Sequence, residues 1–329
     1  MTKKKAYLAD LTLLGVTFTW GTTFVLVKEA INTMPPFTFL GVRFLFAAVL
    51  LGLFMLLFYR KSFQNLGAGI WGAGIWLGFW LFAGYAFQTF GLIYTTASKA
   101  GFITGLSVVM VPFLSLWLLR HRLKRNALIG VGIATVGLAF LSLNKGLDIN
   151  LGDILVFFCA ISYGMHITLV GKYAPKYGAF PLTLIQIVAC GVFNLIGAFL
   201  FEDWTLAFSP QVLLDGWVFS ALLICSLIAT ALAFLAQNHF QKFTTPTRTA
   251  LVFATEPVFA ALAGYLWADD RLTLLQVIGC LLILAGMLVA EIGGNHEDPD
   301  PDPEPKREGD REEATEEGYE KDRLALQGS

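Results

Sequence analysis

Ten apolar tracts of membrane-spanning length, a charged fraction of only 14% and a pattern that recurs at half-length together predict an all-α, polytopic membrane protein. A soluble domain carries about a quarter charged residues. Here 56% of 329 residues are hydrophobic and the mean hydropathy is +0.66. The charges also avoid the tracts. A net charge of −1 sums an acidic tail against basic loops, so it says nothing about a partner. The four cysteines, Cys159, Cys190, Cys225 and Cys280, each lie inside an apolar tract without CxxC spacing. They read as small packing residues, with no metal or disulfide role.

The tracts lie near Leu8–Val27, Phe37–Phe58, Ile70–Ile93, Ser98–Leu119, Ala127–Leu143, Leu151–Val170, Pro181–Phe201, Gly216–Ala236, Thr249–Trp267 and Thr273–Glu291. At about 1.5 Å per residue, tracts of this length match a hydrocarbon core of about 30 Å. The first follows Lys3-Lys4-Lys5, is long enough to span and has no clear cleavage site, so it reads as a helix of the mature chain rather than a signal. Connections are short, with no soluble domain inserted. Loop cations set the expected orientation. With the N-terminus in the cytoplasm, thirteen lysines and arginines face inward and only Lys28, Lys99, Lys145 and Arg271 face outward, beside Glu202, Asp203, Asp215, Asp269 and Asp270. Both termini are then cytoplasmic, in the cytoplasmic membrane. The tail, 295–329, is acidic, interrupted by proline and nearly without large apolar residues, so it is expected to be disordered.

An offset of 149 residues lays YAFQTFGLIYTTASKAGFITGLS over FLAQNHFQKFTTPTRTALVFATE. Gln88 falls on Gln237, Lys99 on Arg248, and Gly101 and Gly105 on Ala250 and Ala254, small residues four apart that let helices approach. Glu256 falls on Ser107. An offset of 143 aligns the first helices, with Trp20-Gly21 over Tyr163-Gly164 and Thr23 over His166. Two repeats follow, 8–143 and 151–292, each of five helices. An odd number inserts the second copy upside down. Lys99 and Arg248 agree, lying at opposite ends of equivalent helices. Inverted repeats are the architecture of secondary transporters, with a site at the midplane between the copies. A duplicated channel or scaffold is the alternative.

The chain resembles the drug/metabolite transporter superfamily, of the EamA type. The resemblance rests on WGTTFVLVKEAI followed by MPPFTFLGVRFLFAAVLL, on GFITGLSVVMVPFLSLWLLRHR, and on EPVFAALAGYLW followed by a loop and GCLLILAGMLV. It spans Leu8 to Ile292. It implies a ten-helix fold with a central cavity and the movement of small metabolites such as amino acids. Many members carry a glutamate before the last helix of each repeat. Here those places read Arg120-His121-Arg122 and Ala268-Asp269-Asp270, so no role transfers to that residue.

The residue around which a site can be built is Glu256, in the tract Thr249–Trp267. Arg248 lies eight residues before it, so the carboxylate sits about 12 Å deep along a helix axis. A charge there costs about 2.5–3.5 kcal/mol on insertion scales unless it is paired, protonated or wetted. It reads as a proton-binding group or a counter-ion for a cationic substrate group. A structural partner for a cation on another helix, or a protonated glutamic acid bonded to the carbonyl that Pro257 frees, is the other reading. Pro257 beside it removes a backbone donor and frees the Phe253 carbonyl one turn back. Arg43, about six residues into the second tract, either snorkels to the interface or holds a carboxylate through its planar fork. Trp20 and Tyr163, equivalent in the two repeats, and Tyr85 are aromatic cavity candidates for apolar, aromatic or cationic substrates. Trp71, Trp76 and Trp80 read as lipid-facing or packing residues. His166, Gln88, Gln237, Asn238 and Asn194 are polar groups in apolar tracts that need partners or water. A His166–Glu256 proton relay would require the two to meet. Pro257, Pro112, Gly101 and Gly105 are hinge candidates, or plain packing positions.

No phosphate loop, HExxH, GxSxG or metal-ligand spacing occurs, so no catalytic residue, cofactor or nucleic-acid partner is expected and the chain is read as a non-enzyme. The expectation is a secondary transporter that moves small metabolites, amino acids or related amphiphiles, in the export direction by alternating access. Protons are the candidate coupling ion. A passive channel or a non-transporting membrane receptor is the alternative.

Overall fold

The structure, a computed structural model, describes residues 3–63, 66–95, 97–120, 124–142, 150–267 and 273–292. No strand occurs among them. The acidic tail and the loop residues 121–123, 143–149 and 268–272, counted above for orientation, lie outside the described residues.

The chain folds as α1 (Lys3–Ala30), α2 (Pro36–Phe58), α3 (Ala68–Tyr94), α4 (Ala97–Gly105), α5 (Ser107–Leu119), α6 (Arg125–Ser142), α7 (Leu151–Tyr173) and α8 (Ala179–Phe201). It continues through a short α9 (Pro210–Leu213), α10 (Gly216–Ser226), a π turn (Leu227–Leu232), α11 (Ala233–Phe240), α12 (Pro246–Phe253), α13 (Glu256–Trp267) and α14 (Leu274–Ile292). Local sequence explains several starts. Pro36 opens α2 and Pro246 opens α12, where a missing N–H costs nothing. Thr245 caps α12 by accepting from Arg248 N–H, and Asn150 and Asp153 form a reciprocal capping box on α7. α2 is capped from a distance: Glu202 accepts from the N–H groups of Phe37 and Thr38 and from the Thr38 hydroxyl, each at 2.8 Å. A carboxylate at a helix N-terminus also meets the favourable end of the dipole.

Seven helical stretches are long and apolar enough to cross a membrane by length and composition, from Tyr7–Ala30 to Gly216–Phe243. Three of the ten expected tracts differ. Arg125–Phe140 and Leu274–Ala290 are apolar but shorter among the described residues. The third, Thr249–Trp267, expected as one helix, is two: α12 stops at Phe253, Ala254 and Thr255 form a turn, and α13 begins at Glu256. The fourth tract is interrupted as well, with Leu106 between α4 and α5. The two restarts, Ser107 and Glu256, are 149 residues apart, the same offset at which the sequence aligns with itself.

That offset also relates the packing of α6 to that of α14, which lie against each other. A Cβ on Gly130 would come within 2.5 Å of the Gly286 carbonyl oxygen, and one on Gly286 within 2.6 Å of that of Gly130. One turned pair along, a Cβ on Gly137 would meet the Gly279 carbonyl oxygen at 2.7 Å. Backbones touch here because the side chains are absent. Since 130 pairs with 286 and 137 with 279, the two helices run antiparallel. Elsewhere α3 packs on α7 and α8, and α2 on α8. Two large apolar clusters form the core. One gathers Phe39, Phe44, Leu81 and Phe234; the other gathers Leu13, Leu138, Leu251 and Ile283. Trp20 packs against both.

Candidate functional site

Between those clusters lies a cavity of about 70 Å³. At roughly 10–15 Å³ per water, it has room for about five waters or the polar head of a small solute. Trp20, Arg43, Tyr85, Gln88, Tyr163, His166, Gln237 and Glu256 all line it, together with Gly105. Eight polar or aromatic positions from six different helices therefore converge on one space.

α1 supplies Trp20, whose indole N–H donates to the Ala229 carbonyl at 2.8 Å. Its ring lies 5.4 Å from Phe234 and 5.0 Å, edge-on, from Phe253. α7 supplies Tyr163, whose ring lies 5.6 Å, edge-on, from Tyr85 on α3. Trp20 and Tyr163 correspond at the offset of 143, and Tyr85 and Phe234 at 149. The aromatic walls are thus two matching pairs, joined where Tyr85 approaches Phe234 at 6.4 Å.

α2 supplies Arg43, which is 3% exposed and buried well inside the bundle. Its Nε donates to the Thr230 hydroxyl at 2.9 Å and its terminal nitrogen to the Tyr85 hydroxyl at 3.4 Å. The guanidinium lies over the Tyr85 ring at 4.9 Å and near Phe44 at 5.5 Å. No carboxylate pairs with it among the described residues. The Arg43 head is held between α2, α3 and the π turn. Glu256, the first residue of α13, is half-buried and faces the cavity, and it makes no hydrogen bond or ion pair among the described residues. A guanidinium without a carboxylate partner and a carboxyl group without a hydrogen bond thus share a small, largely apolar space among the described residues.

The amides complete the walls. Gln88 donates to the Thr104 hydroxyl at 3.2 Å and accepts from the Tyr163 hydroxyl at 3.4 Å. Gln237 donates to Gln241 at 3.0 Å, and Gln241 in turn to the Ile167 carbonyl at 2.6 Å. The Gln237 side-chain amide oxygen is buried without a partner among the described residues. His166 pairs with Gln186 at 3.1 Å and stands edge-on to Phe234, so the direct His166–Glu256 relay is not formed. Asn238 donates to Thr183 and Asn194 to the Cys190 carbonyl; neither lines the cavity. Trp71 and Trp76 are about half exposed on the outside of α3. Among the described residues, no group of three His, Cys, Asp or Glu is placed to hold a metal ion.

The hinge candidates lie beside the helix breaks rather than at them. Pro257 is the second residue of α13, a first-turn position where proline is tolerated and no kink results. Gly101 faces it across the bundle, a Cβ there reaching Pro257 at 3.9 Å. Gly105 ends α4, and Pro112 lies inside α5 beyond the break at Leu106. α1 packs closely on the α13 start: a Cβ on Gly21 would meet the Glu256 carbonyl oxygen at 2.7 Å.

Several lining residues escape a reading based on polarity alone. Phe24 and Val27 continue the Trp20 stripe on α1, and Leu81 and Leu92 continue that of Tyr85 on α3. Their spacing of three or four residues was the available signal. Phe234 was reachable from Tyr85 through the repeat. Thr230 was not, because it acts through Arg43.

A bundle of membrane-length helices closing on a cavity with a buried arginine and an unpaired carboxyl group defines a class, the multi-pass membrane transporter. The chain belongs to the EamA-like transporter family, which it matches over residues 7–143 and again over 150–291. It is 35% identical over 291 residues to an uncharacterized transporter of Archaeoglobus fulgidus, with 88% of this chain and 87% of the relative covered. It is 24% identical over 301 residues to a probable amino-acid metabolite efflux pump of Salmonella typhimurium, covering 89% and 96%. A solved crystal structure shares the fold with a TM-score of 0.72 at 19% identity, covering 88% of this chain and 98% of that one.

Proposed function

We propose that the chain is a secondary transporter that moves small zwitterionic metabolites, amino acids or similar amphiphiles, outward across the cytoplasmic membrane. It works by alternating access between two inverted five-helix repeats, 8–143 and 151–292. The observation that carries this reading is the pair of unmatched charges, Arg43 and Glu256, on one cavity. A buried ion without a partner costs several kcal/mol. A substrate bearing a carboxylate and an ammonium group would relieve both costs at once, and the aromatic walls would take its apolar part. The Salmonella relative, a probable amino-acid metabolite efflux pump, agrees with this substrate class and direction. The repeat reading draws support from the matching helix restarts at Ser107 and Glu256 and from the antiparallel glycine contact of α6 with α14. Protons are the proposed coupling ion, with Glu256 as the group that carries them.

The test is counterflow in proteoliposomes across a panel of the common amino acids. Saturable exchange of one or more of them is expected. Conductance without counterflow would make the protein a channel, and binding without flux a receptor. In the same vesicles Glu256→Gln is expected to abolish pH-driven transport while leaving expression and folding intact. Full pH-dependent activity in that variant removes Glu256 from the coupling role.

A further inference from the structure

Between α10 and α11 the backbone leaves α-helical geometry for six residues, Leu227–Leu232, and winds as a π turn. Such turns are rare and cluster at functional sites. This one has a specific consequence. In an α-helix the N–H of Ala233 would donate to the Ala229 carbonyl; here it donates to Ile228 and Thr230. The Ala229 carbonyl, fully buried and not taken by the Ala233 N–H, accepts the Trp20 indole N–H at 2.8 Å. The next residue, Thr230, also fully buried, accepts from Arg43 Nε at 2.9 Å. Two adjacent residues of the π turn therefore fix one cavity side chain of α1, Trp20, and one of α2, Arg43.

The feature is one-sided. At the offset of 149 the same stretch is Gly78–Ala83, inside the uninterrupted α3, and the place of Thr230 is taken by Leu81. The repeat alone therefore does not account for it. A guanidinium has five N–H donors in a rigid plane, and a carboxylate is matched by two of them side by side. Holding Nε fixes that plane. The Tyr85 hydroxyl at 3.4 Å and the ring beneath at 4.9 Å limit its remaining freedom, and the other terminal N–H groups are left for the cavity.

We propose that the π turn sets the preference of this site for a carboxylate over its uncharged analogues, with Thr230 as the positioning residue that aims the Arg43 fork. This rests on the amino-acid reading above and goes further, assigning the carboxylate end to Arg43 and its orientation to a residue outside the cavity wall. Trp20, tied to the neighbouring carbonyl, lines the same space.

The experiment compares wild-type protein, Thr230→Val and Thr230→Ser in proteoliposomes. The probes are the best amino acid of the counterflow panel and its carboxamide. Valine keeps the shape of threonine and removes the acceptor; serine keeps the acceptor. Loss of one hydrogen bond to a charged group corresponds to about a tenfold rise in KM, and that is expected for the acid in Thr230→Val with kcat held within about twofold. The carboxamide KM is expected to stay as in wild type, and serine to restore the acid KM. An equal change for acid and carboxamide, or no change for the acid, overturns the proposal. Should the valine variant fail to fold, Thr230→Ala with the same two probes decides by the same split. Wild-type protein that moves no amino acid fails the carrier reading, and this inference falls with it. Wild-type flux with an indifferent Thr230→Val overturns this inference alone.

Discussion

Arg43→Met separates a transport role from a structural one. In the folded chain the guanidinium has one good hydrogen bond, to Thr230 at 2.9 Å, a longer one to Tyr85 at 3.4 Å, and two aromatic neighbours at 4.9 and 5.5 Å. A hydrogen bond to a charged group contributes about 1.5–3 kcal/mol, and a desolvated cation–π contact about 0.5–2 kcal/mol. Against these stands the burial of an ion with no opposite charge, which costs several kcal/mol. The opposing contributions are of similar size, so the apolar, flexible methionine is expected to leave the melting temperature within a few degrees of wild type. Transport responds differently. Two charge-assisted bonds to a substrate carboxylate amount to about 3–6 kcal/mol, a loss of roughly 100- to 10,000-fold in kcat/KM at about 1.4 kcal/mol per decade. Melting in detergent and counterflow in vesicles are measured on the same preparations. A methionine variant that exchanges amino acids at the wild-type rate refutes the assignment. So does one that melts more than about 10 °C lower, a loss of several kcal/mol that would make Arg43 a tie in the fold.

Two further substitutions probe the frame that holds the site. Gly137→Val drives a side chain against the Gly279 carbonyl oxygen and the Ile283 nitrogen, both at 2.7 Å, and is expected to destabilise the α6–α14 crossing by about 1–3 kcal/mol or more; Gly132→Ala on the same helix, with nothing within 4 Å, is expected to be neutral or slightly stabilising, and melting curves of the two decide. Asp10 and Arg248 form an ion pair of 2.7 Å between α1 and α12, with side chains 15% and 16% exposed. Asp10→Asn is expected to cost on the order of 1–3 kcal/mol, and the reversed pair, Asp10→Arg with Arg248→Asp, to recover part of it by the same measurement.

What the sequence revealed and what it hid have a common physical cause. In hydrocarbon a polar side chain must find a partner, water or a ligand, so Arg43, Gln88, Tyr163 and Glu256 stood out as polar groups inside apolar tracts, and the structure gathers them on one cavity. The backbone sent no comparable signal. TALVFATEPVFAALAGYLW is apolar throughout, and Pro257 suits the interior of a kinked helix in sequence as well as the first turn of a new one. The break before Ser107 has no adjacent proline, and nothing in LIATAL announces a π turn. These departures change the meaning of Glu256. As a mid-helix charge it was an isolated expense. As the first residue of α13 it meets the positive end of a helix dipole, which offsets part of the cost of an unpaired carboxylate. Its counterpart Ser107 opens α5 on the same cavity with no charge to balance that helix end, and its N-cap residue, Leu106, supplies no side-chain bond. Two equivalent helix starts on one cavity therefore differ: one carries its own glutamate, and the other has no acidic residue in its first turn. On the proposed reading this is how a two-fold scaffold acquires a polarity, with an anion-holding group at Arg43 and a cation-holding group at Glu256 on one cavity. A zwitterion would then bind in one orientation.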